Sequence, residues 1–443
     1  MKITILGAAK SGLAAAGLAK RNGDVVFVTD SKPAEQAGDA QQRVRELDVD
    51  HEFGSHSERA LQADLVVTSP GVPPSNPIRI AAAERGIRLI SELEFAASQI
   101  PNKIIAITGT NGKTTTTALT TYILNQAGKN AIACGNIGTP LSSLVGSLAA
   151  SDIVVAEVSS YQLDTCIDFK PSVSALLNIT PDHLSYHGTF EQYVKAKWKI
   201  FANQGPDDIV ILNADDPHAA AGASHTQGKL NLFSIRSENV GAYVRGDDVF
   251  LRVSEQHIEE VLMPARRIGL PGVHNLYNSM AAALAARALE VRNEDIRDSL
   301  QSFNGVEHRL ENVRTLNGVR YVNDSKATNI NAAWYALSSY DRPIVWIAGG
   351  RGDNNDYTQL DDLVLTNVKA IICIGEEADP IFNHWCTEKR CIKALTMDEA
   401  VRDAASLAEQ GDVVLFSPAC KSFDMFANFE ERGAVFKTSV ASL

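Results

Sequence analysis

The sequence has few cysteines and none in a paired motif. Only six occur among 443 residues, and the shortest interval between two of them runs from Cys386 to Cys391. We therefore expect neither a zinc site built on paired cysteines nor a disulfide framework. Reduced thiols are typical of cytosolic proteins, so we expect a cytoplasmic location.

Long apolar runs are also lacking. No stretch reaches about 18 uninterrupted apolar residues, so we expect no membrane span. The first 20 residues begin like a signal peptide, but Lys10 interrupts the apolar run, and Gly7 and Gly12 stand where turns form. A strand, a turn and a helix fit this segment better.

An excess of positive charge is absent as well. The chain has 41 Lys and Arg against 53 Asp and Glu, a formal net charge of -12. Because nucleic-acid binding needs a basic surface, we expect no nucleic-acid partner. The hydrophobic fraction of 45% and charged fraction of 21% are ordinary for a globular protein. The sequence does not set the oligomeric state, and a monomer is our expectation.

What the chain does have is a regular alternation of short apolar runs with helical patterns. This alternation is typical of doubly wound α/β domains. Ten runs predict buried parallel strands: Ile3–Leu6, Val25–Val28, Leu65–Val67, Ile104–Ile107, Ile153–Ala156, Ala175–Leu177, Ile209–Leu212, Ile344–Ala348, Ala370–Ile374 and Val413–Phe416.

The length corresponds to about three domains, and the pattern divides the chain accordingly. We predict units at residues 1–93, 94–303 and 304–443. Within the second unit, the polar, alternating segment Gly241–Val261 predicts a small β excursion, and Asn275–Leu289 predicts a long Ala-rich helix.

The strongest local signal is a phosphate-binding loop after the strand Ile104–Ile107. Glycines there let backbone N–H groups close around phosphate, the lysine reaches the β- and γ-phosphates, and a threonine hydroxyl ligates Mg²⁺. The strict motif has a further glycine where this chain has Ile107, so the form is a shorter one. Its residues are Gly109, Thr110, Asn111, Gly112, Lys113, Thr114 and Thr115.

Further polar residues follow strands of the same unit. Glu157 ends a predicted strand and is a natural Mg²⁺ ligand, because that ion prefers oxygen donors. His183 follows the next strand. Lysines at 195, 197 and 199 lie on one predicted helix, where alternate spacing prevents them from sharing a face. We expect two to be solvated and one to point inward.

Together these motifs resemble the Mur ligases, and the resemblance covers nearly the whole chain. The two C-terminal motifs resemble the members that add D-glutamate. The matching segments are Gly109–Thr114, Glu157–Gln162, Asp182–His183, Ala196–Lys197, Leu270–Asn275 with Asn278, His308–Arg309, Asp324–Asn329 and Ser417–Asp424.

The resemblance implies an α/β protein of three domains: a Rossmann-like N-terminal domain for a UDP-linked precursor, a P-loop ATPase-like central domain, and a Rossmann-like C-terminal domain for the amino acid. It implies the substrates ATP, UDP-N-acetylmuramoyl-L-alanine and D-glutamate, joined through an acyl phosphate in peptidoglycan precursor synthesis. A carboxylate is a poor acylating agent, and phosphorylation gives it a leaving group. The meeting of two anions requires metals and lysines.

The resemblance also assigns catalytic and metal-binding roles. Thr114 and Glu157 would hold one Mg²⁺, and His183 a second. Lys197 matches a position that is carbamylated in the family, which would convert a cation into an oxygen ligand. Lys113 and Lys326 would supply positive charge, so the implied catalytic residues are Lys113, His183, Lys197 and Lys326.

Binding roles follow by the same resemblance. His308 matches a hinge position, with a packed buried histidine as an equal alternative. The nucleotide positions are Asn275, Asn278, Arg309 and Asp324. The D-glutamate positions are Thr328, Ser422 and Phe423. The UDP-precursor positions are Lys10, Ser11, Asp30, Ser31, Lys32 and Asn136.

One position departs from the family pattern. A lysine or arginine often occurs late in the Gly-rich turn that follows Ile344–Ala348, poised for a glutamate carboxylate. This chain has Asp353 where a lysine is sometimes found. Two readings remain open: Arg351 takes over the charge, or the turn is only surface.

Three other functions compete with this reading. Folylpolyglutamate synthetases share the phosphate loop and the lysine but use another acceptor. A nicotinamide-dependent oxidoreductase would fit the first domain, but Ala9 stands in place of the central glycine of the dinucleotide fingerprint. A nucleotide-gated binding module would require a broken site, whereas Lys113, Glu157, His183 and Lys197 are all present.

Overall fold

The structure is a computed structural model that describes residues 1–238, 240–252, 259–303, 305–340, 342–353 and 355–443. It divides into two compact units. The first comprises Met1–Arg267 and Tyr277–Gln301, and the second comprises Ile268–Leu276 and Ser302–Leu443. The first unit holds two of the three β-sheets and the second holds the third.

The N-terminal sheet has five strands in the order β3-β2-β1-β4-β5, all parallel. Its apolar runs are buried on both faces, as parallel strands covered by helices must be. The strands are β1 (Lys2–Leu6), β2 (Val25–Asp30), β3 (Asp50–Phe53), β4 (Leu65–Thr68) and β5 (Arg88–Ser91). The helices are α1 (Lys10–Arg21), α2 (Asp39–Glu46), α3 (Pro77–Glu84) and α4 (Glu92–Ala97).

The central sheet has nine strands in the order β14-β13-β12-β11-β10-β9-β6-β8-β7. The pairs from β7 to β12 are parallel, and β12, β13 and β14 pair antiparallel. The strands are β6 (Ile104–Thr108), β7 (Ala131–Gly135), β8 (Ile153–Glu157), β9 (Val173–Leu176), β10 (Ile209–Asn213), β11 (Lys229–Ser234), β12 (Gly241–Arg245), β13 (Asp248–Arg252) and β14 (Glu259–Pro264). The helices are α5 (Lys113–Gln126), α6 (Leu141–Leu144), α7 (Ser160–Asp164), α8 (Leu184–His187), α9 (Phe190–Trp198), α10 (Pro217–Ala221), α11 (Val273–Arg287) and α12 (Asn293–Ser302).

The C-terminal sheet has six strands in the order β15-β16-β20-β17-β18-β19, parallel except for the edge strand β15. The strands are β15 (Glu311–Leu316), β16 (Val319–Asn323), β17 (Ile344–Gly349), β18 (Val368–Ile374), β19 (Arg390–Ala394) and β20 (Val413–Phe416). The helices are α13 (Ile330–Leu337), α14 (Asp361–Asn367), α15 (Ala378–Trp385), α16 (Met397–Leu407) and α17 (Phe429–Ala441).

Helices of the C-terminal sheet cover opposite faces. One hydrophobic core packs α13, α14 and α15 against the sheet, and the other packs α16 and α17. The chain leaves β17 toward α14 and leaves the neighbouring β20 toward α17, so the two loops turn to opposite faces. Such a switch point opens a crevice at the carboxyl ends of the strands, where α/β domains bind ligands.

The predicted α/β class is confirmed, and the structure has three sheets. All ten predicted runs correspond to parallel strands, with Leu177 one residue beyond the end of β9. The predicted β excursion is present as β12, β13 and β14, although residues 253–258 lie outside the described residues. The predicted helix is α11, which begins and ends two residues earlier than expected.

The unit boundaries at residues 93 and 304 stay predictions. The first falls inside α4, and residue 304 lies outside the described residues. Within the described ranges, no helix is both long and apolar enough to cross a membrane.

Candidate active site

The phosphate loop connects β6 to α5 in the first unit. Gly109 has φ +159° and Gly112 has φ +84°, so the loop uses backbone conformations that favour glycine. A Cβ on Gly112 would lie 2.2 Å from Oδ1 of Asn278, a buried residue of α11. The loop thus folds tightly over α11, and only glycine fits at its last position.

The side of the loop nearest β9 is held by polar contacts. The amide of Asn111 donates to Oδ1 of Asn178 at 2.8 Å, and Nδ2 of Asn178 donates to the Asn111 carbonyl at 3.1 Å. The Thr110 hydroxyl is hydrogen-bonded to the Tyr193 hydroxyl at 2.9 Å and accepts from the amide of Thr180 at 3.0 Å. These bonds fix the loop before any ligand binds.

Two lysines converge on one carbonyl of this loop. Nζ of Lys113 donates to the carbonyl of Gly109 at 2.9 Å and to that of Thr110 at 2.8 Å. Nζ of Lys197, on α9, donates to the same Gly109 carbonyl at 2.8 Å and lies 4.7 Å from the centre of the Tyr193 ring. Burial, and secondarily the charge of Lys113, hold the pKa of Lys197 well below its ordinary value.

Of the lysines at positions 195, 197 and 199, one points inward as the spacing predicted, and Lys199 caps the end of α9. Lys197 is the inward one, with 1% of its surface exposed, while Lys195 is exposed. Lys199 is half-buried and donates to the carbonyl of Asp164, so it is less solvated than expected.

An acidic group lies beside the first turn of α5. Glu157, at the end of β8, is buried, and its Oε2 accepts from the Thr114 hydroxyl at 2.7 Å. Its Oε1 accepts from Nδ2 of Asn136 at 2.9 Å, and its carbonyl accepts from the Asn136 amide at 2.8 Å. The predicted Mg²⁺ ligands Thr114 and Glu157 are therefore adjacent, and Asn136 contacts Glu157.

His183 stands at the start of α8 in a left-handed conformation with φ +54°. Its ring lies 4.8 Å from that of Tyr161 and 6.3 Å from that of Tyr193. Burial lowers the pKa of His183, Asp182 raises it, and the charges of Lys113 and Lys197 lower it further. The histidine therefore belongs to the same electrostatic neighbourhood as the phosphate loop.

The N-terminal sheet presents the predicted UDP-precursor positions near one turn. The Asp30 carboxylate accepts from the amides of Ala8 at 2.7 Å and Lys32 at 2.8 Å. It therefore joins the turn after β1 to the turn after β2. Lys10 donates to the carbonyl of Gly138, next to Asn136, and so joins the first and central sheets. Ser11 is half-buried, whereas Ser31 and Lys32 are exposed.

In the second unit, Asp324 follows β16 and is buried. Its carboxylate accepts from the Ser417 hydroxyl at 2.8 Å and from the Leu310 amide at 3.2 Å. Burial raises the pKa of Asp324 to about 7, against the opposing effects of the Ser417 hydrogen bond and the Arg309 charge. Asn275 also belongs to this unit, and its Nδ2 donates to the Pro271 carbonyl at 2.7 Å.

His308 is a packed histidine in this unit. It is buried, its Nδ1 is hydrogen-bonded to Nδ2 of Asn323 at 2.9 Å, and its amide donates to Glu311 at 2.9 Å. This arrangement fits the alternative of a buried, hydrogen-bonded histidine, and the hinge role stays a prediction. Nζ of Lys326 lies 5.4 Å from the centre of the Phe429 ring.

The predicted D-glutamate positions lie in loops at the carboxyl ends of the C-terminal strands. Ser422 is buried, Phe423 is 59% exposed, and Thr328 is half-buried after β16. Arg351, after β17, forms an ion pair with Glu376 at 2.9 Å. Asn354 of the Gly-rich turn lies outside the described residues.

Sequence reasoning gave no role to two residues that hold the phosphate loop, Asn178 and Tyr193. Asn178 follows β9, and strand ends of this sheet carry the other polar groups of the site. Tyr193 lies four residues before Lys197 on α9, which places both on one face of the helix. Those two signals would have identified them.

Comparison with known proteins matches each part of the chain. The Mur ligase MurD-like, N-terminal domain matches residues 1–91, the Mur ligase middle domain 107–286, and the Mur ligase, glutamate ligase domain 308–420. A UDP-N-acetylmuramoylalanine–D-glutamate ligase of Salinibacter ruber is 47% identical, covering 100% of this chain and 98% of that protein. One of Chloroherpeton thalassium is 42% identical over the same shares.

Among solved structures, a UDP-N-acetylmuramate-alanine ligase of Thermotoga maritima aligns with a TM-score of 0.59 and 18% identity, covering 100% of this chain and 99% of that one. A pseudomurein peptide ligase type C of Methanothermus fervidus aligns with a TM-score of 0.57 and 20% identity, covering 94% of this chain and 96% of that one. At these identities the structural likeness establishes the fold alone.

Proposed function

This chain belongs to the Mur ligase family, and we propose that it is the ATP-dependent ligase that joins D-glutamate to UDP-N-acetylmuramoyl-L-alanine in peptidoglycan precursor synthesis. The precursor carboxylate attacks the γ-phosphate of ATP and becomes an acyl phosphate as ADP leaves. The amine of D-glutamate then attacks the acyl carbon, and phosphate departs. We place this reaction in the cytoplasm, where ATP and the UDP-linked precursor are both available.

The observation that carries the proposal is the convergence of Lys113 and Lys197 on the Gly109 carbonyl beside Thr114 and Glu157. A dehydrogenase has no use for this arrangement, because hydride transfer does not need a lysine and a buried carboxylate at a phosphate loop. In the proposed reaction two anions must meet. Lys113 neutralises the transferred phosphate, and the N-terminal amides of α5 bind its oxygens.

The donor set at the loop fits a magnesium ion. The Thr114 hydroxyl and the Glu157 carboxylate are oxygen donors in contact, and Mg²⁺ binds few protein oxygens together with those of the phosphates. When bound, the ion polarises the transferred phosphoryl group. The Thr114 hydroxyl and the Glu157 carboxylate would hold the ion at the phosphate loop.

We further propose a second Mg²⁺ at His183 and a carbamate on Lys197. Lys197 is buried, its Nζ donates to a carbonyl, and it makes no ion pair with a described carboxylate. A neutral amine in this position attacks CO₂, a C–N bond forms, and the proton leaves to solvent. The resulting anion would offset the charge of the neighbouring Lys113 and would supply an oxygen ligand for the second Mg²⁺.

The remaining predicted residues complete three binding regions in this proposal. The nucleotide contacts Asn275, Asn278, Arg309 and Asp324, and the precursor contacts Asn136 and the N-terminal turns. D-Glutamate contacts Thr328, Ser422 and Phe423, and Lys326 supplies positive charge for the reaction. The UDP-precursor positions are Lys10, Ser11, Asp30, Ser31 and Lys32.

The test is release of phosphate from ATP with Mg²⁺ and UDP-N-acetylmuramoyl-L-alanine, offered D-glutamate, L-glutamate, L-lysine or meso-diaminopimelate. We expect release with D-glutamate alone. Release with another amino acid would overturn the acceptor, and release with a folate and glutamate would identify the rival synthetase. Lys113→Ala should abolish turnover, whereas Lys195→Ala, an exposed lysine of α9, should not change it.

The carbamate has a test independent of turnover. Protein incubated with ¹³C-bicarbonate should show one carbamate carbon by ¹³C NMR. The signal should vanish in Lys197→Ala and persist in Lys195→Ala. A wild-type protein with full D-glutamate-dependent activity and no such signal would refute the carbamate and leave the ligase assignment standing.

A further inference from the structure

Within the proposed function, on which this inference rests, D-glutamate brings two carboxylates to the C-terminal sheet and needs a cation to receive them. We propose that Lys421 is the residue that binds a carboxylate of D-glutamate, and that Asp353 occupies the lysine until the substrate arrives. Arg351, the basic residue of the Gly-rich turn, does not take this role.

The two turns at the switch point are joined by their backbones. The amide of Arg351 donates to the Lys421 carbonyl at 2.8 Å, and the amide of Lys421 donates to the Arg351 carbonyl at 2.9 Å. A Cβ on Gly350 would lie 2.4 Å from the Lys421 carbonyl oxygen, so the glycine permits this approach. Lys421 is therefore fixed at the crevice between β17 and β20, one residue before buried Ser422.

The described cations around this crevice differ in how fully they are engaged. Arg432 is buried and donates to the carbonyls of Cys420 and Ser325 and to the Ser325 hydroxyl, so it supports the loop from beneath. Arg351 donates through two nitrogens to both oxygens of Glu376. These hydrogen bonds, and secondarily the Asp424 carboxylate, raise the pKa of Arg351. Such forked pairs are the stronger kind.

The Lys421 side chain is held by a single contact, whereas the Arg351 pair is forked, and the two pairs are similarly exposed. Its Nζ contacts the Asp353 carboxylate at 2.7 Å, with 43% of the lysine side chain and 67% of the aspartate side chain exposed. A single-point pair between exposed groups contributes little to stability. An incoming carboxylate can therefore replace Asp353 at small cost, whereas it would have to displace two bonds at Arg351.

This arrangement also accounts for the acidic residue in the Gly-rich turn. A lone aspartate beside a dicarboxylate pocket would repel the substrate. Paired with Lys421 it forms a neutral couple, and the cation stands on the neighbouring turn rather than at position 353. In this proposal the basic group of the pocket stands on the turn after β20 and not on the turn after β17.

The test measures kcat and KM for D-glutamate in the full-length protein. Lys421→Gln should raise KM for D-glutamate by about 10-fold or more, since a hydrogen bond to a charged group is lost, and should leave KM for ATP unchanged. Lys421→Arg should retain most of the affinity. Asp353→Asn should lower KM for D-glutamate by a few-fold, because the competing carboxylate is gone.

Lys393→Gln is the matched control, since Lys393 forms an ion pair with Asp379 at nearly the same exposures, 42% and 73%, on β19. It should leave KM for D-glutamate unchanged. An unchanged KM in Lys421→Gln, a KM increase confined to Arg351→Gln, or a higher KM in Asp353→Asn would overturn the inference. A wild-type protein without D-glutamate-dependent phosphate release would instead refute the proposed function.

Discussion

Gly112 offers a measurement of how tightly the phosphate loop is packed. The substitution Gly112→Ala introduces two costs. The first is the left-handed backbone, φ +84°, which costs an alanine about 1–2 kcal/mol. The second is steric, because the new Cβ would lie 2.2 Å from Asn278 Oδ1, whereas ordinary contact begins at 3.4 Å. Overpacking of this kind costs about 1–3 kcal/mol.

The two costs can be separated with a glycine at the other end of the same helix. Gly128 follows α5 with φ +77°, and a Cβ there would meet nothing within 4 Å. Gly128→Ala should therefore lose only the backbone contribution, about 1–2 kcal/mol. Gly112→Ala should lose roughly 1–3 kcal/mol more.

Urea unfolding of the two variants measures this difference, and KM for ATP reports on the loop itself. In an Asn278→Ala background the steric cost disappears, so Gly112→Ala should then destabilise no more than Gly128→Ala. KM for ATP should rise in Gly112→Ala and stay constant in Gly128→Ala. Equal destabilisation by the two single substitutions would refute the argument that Asn278 closes the loop.

Three further perturbations test other contacts. Tyr193→Phe removes the hydroxyl bonded to Thr110, so it should lower the free energy of unfolding by about 1 kcal/mol and raise KM for ATP. The control is Tyr243→Phe, at a buried tyrosine of β12, which should lower stability and leave KM for ATP unchanged. Arg79→Met breaks the 2.8 Å ion pair with Asp164, so it should lower the thermal midpoint and reduce the free energy of unfolding by about 3 kcal/mol. Arg79→Lys keeps the charge and should show a smaller loss. The pKa of Asp324 is raised to about 7 in the folded state, so the folded protein binds the proton more tightly than the unfolded chain does. The free energy of unfolding should therefore fall by at most about 4 kcal/mol as the pH rises from about 4 to 7. Asp324→Asn should flatten that part of a stability-against-pH profile measured by urea unfolding.

The sequence predicted interior strands well and edge strands poorly. The ten predicted runs are apolar because their strands have neighbours on both sides and helices on both faces. The missed β3 and β19 are sheet edges, with few buried residues. Edge strands tolerate polar residues, so apolar content does not distinguish them from loops. The interior strands β11 and β16 were missed for another reason, since Asn231 interrupts the apolar residues of the first and Arg320 those of the second.

The site was predictable where its residues are contiguous. The phosphate loop is one run of sequence, and its backbone follows from glycine positions. The bond from Lys197 to Gly109 joins residues 88 apart, and the spacing on α9 indicated only that one lysine would point inward. The pairing of Lys421 with Asp353 could likewise not be predicted from the sequence, because it depends on which strands are neighbours in the C-terminal sheet.

The net charge of -12 illustrates why the local arrangement decides what this protein binds. Its proposed substrates are all anions, and a uniform acidic surface would repel them. At the phosphate loop, however, the Lys113 ammonium lies on the loop carbonyls at the N-terminus of α5, where a low dielectric strengthens its attraction for phosphate. At the C-terminal crevice, one weak exposed pair releases a cation when a carboxylate arrives. Acidic residues that are exposed to solvent act only over short distances, because ions screen them over about 8–10 Å.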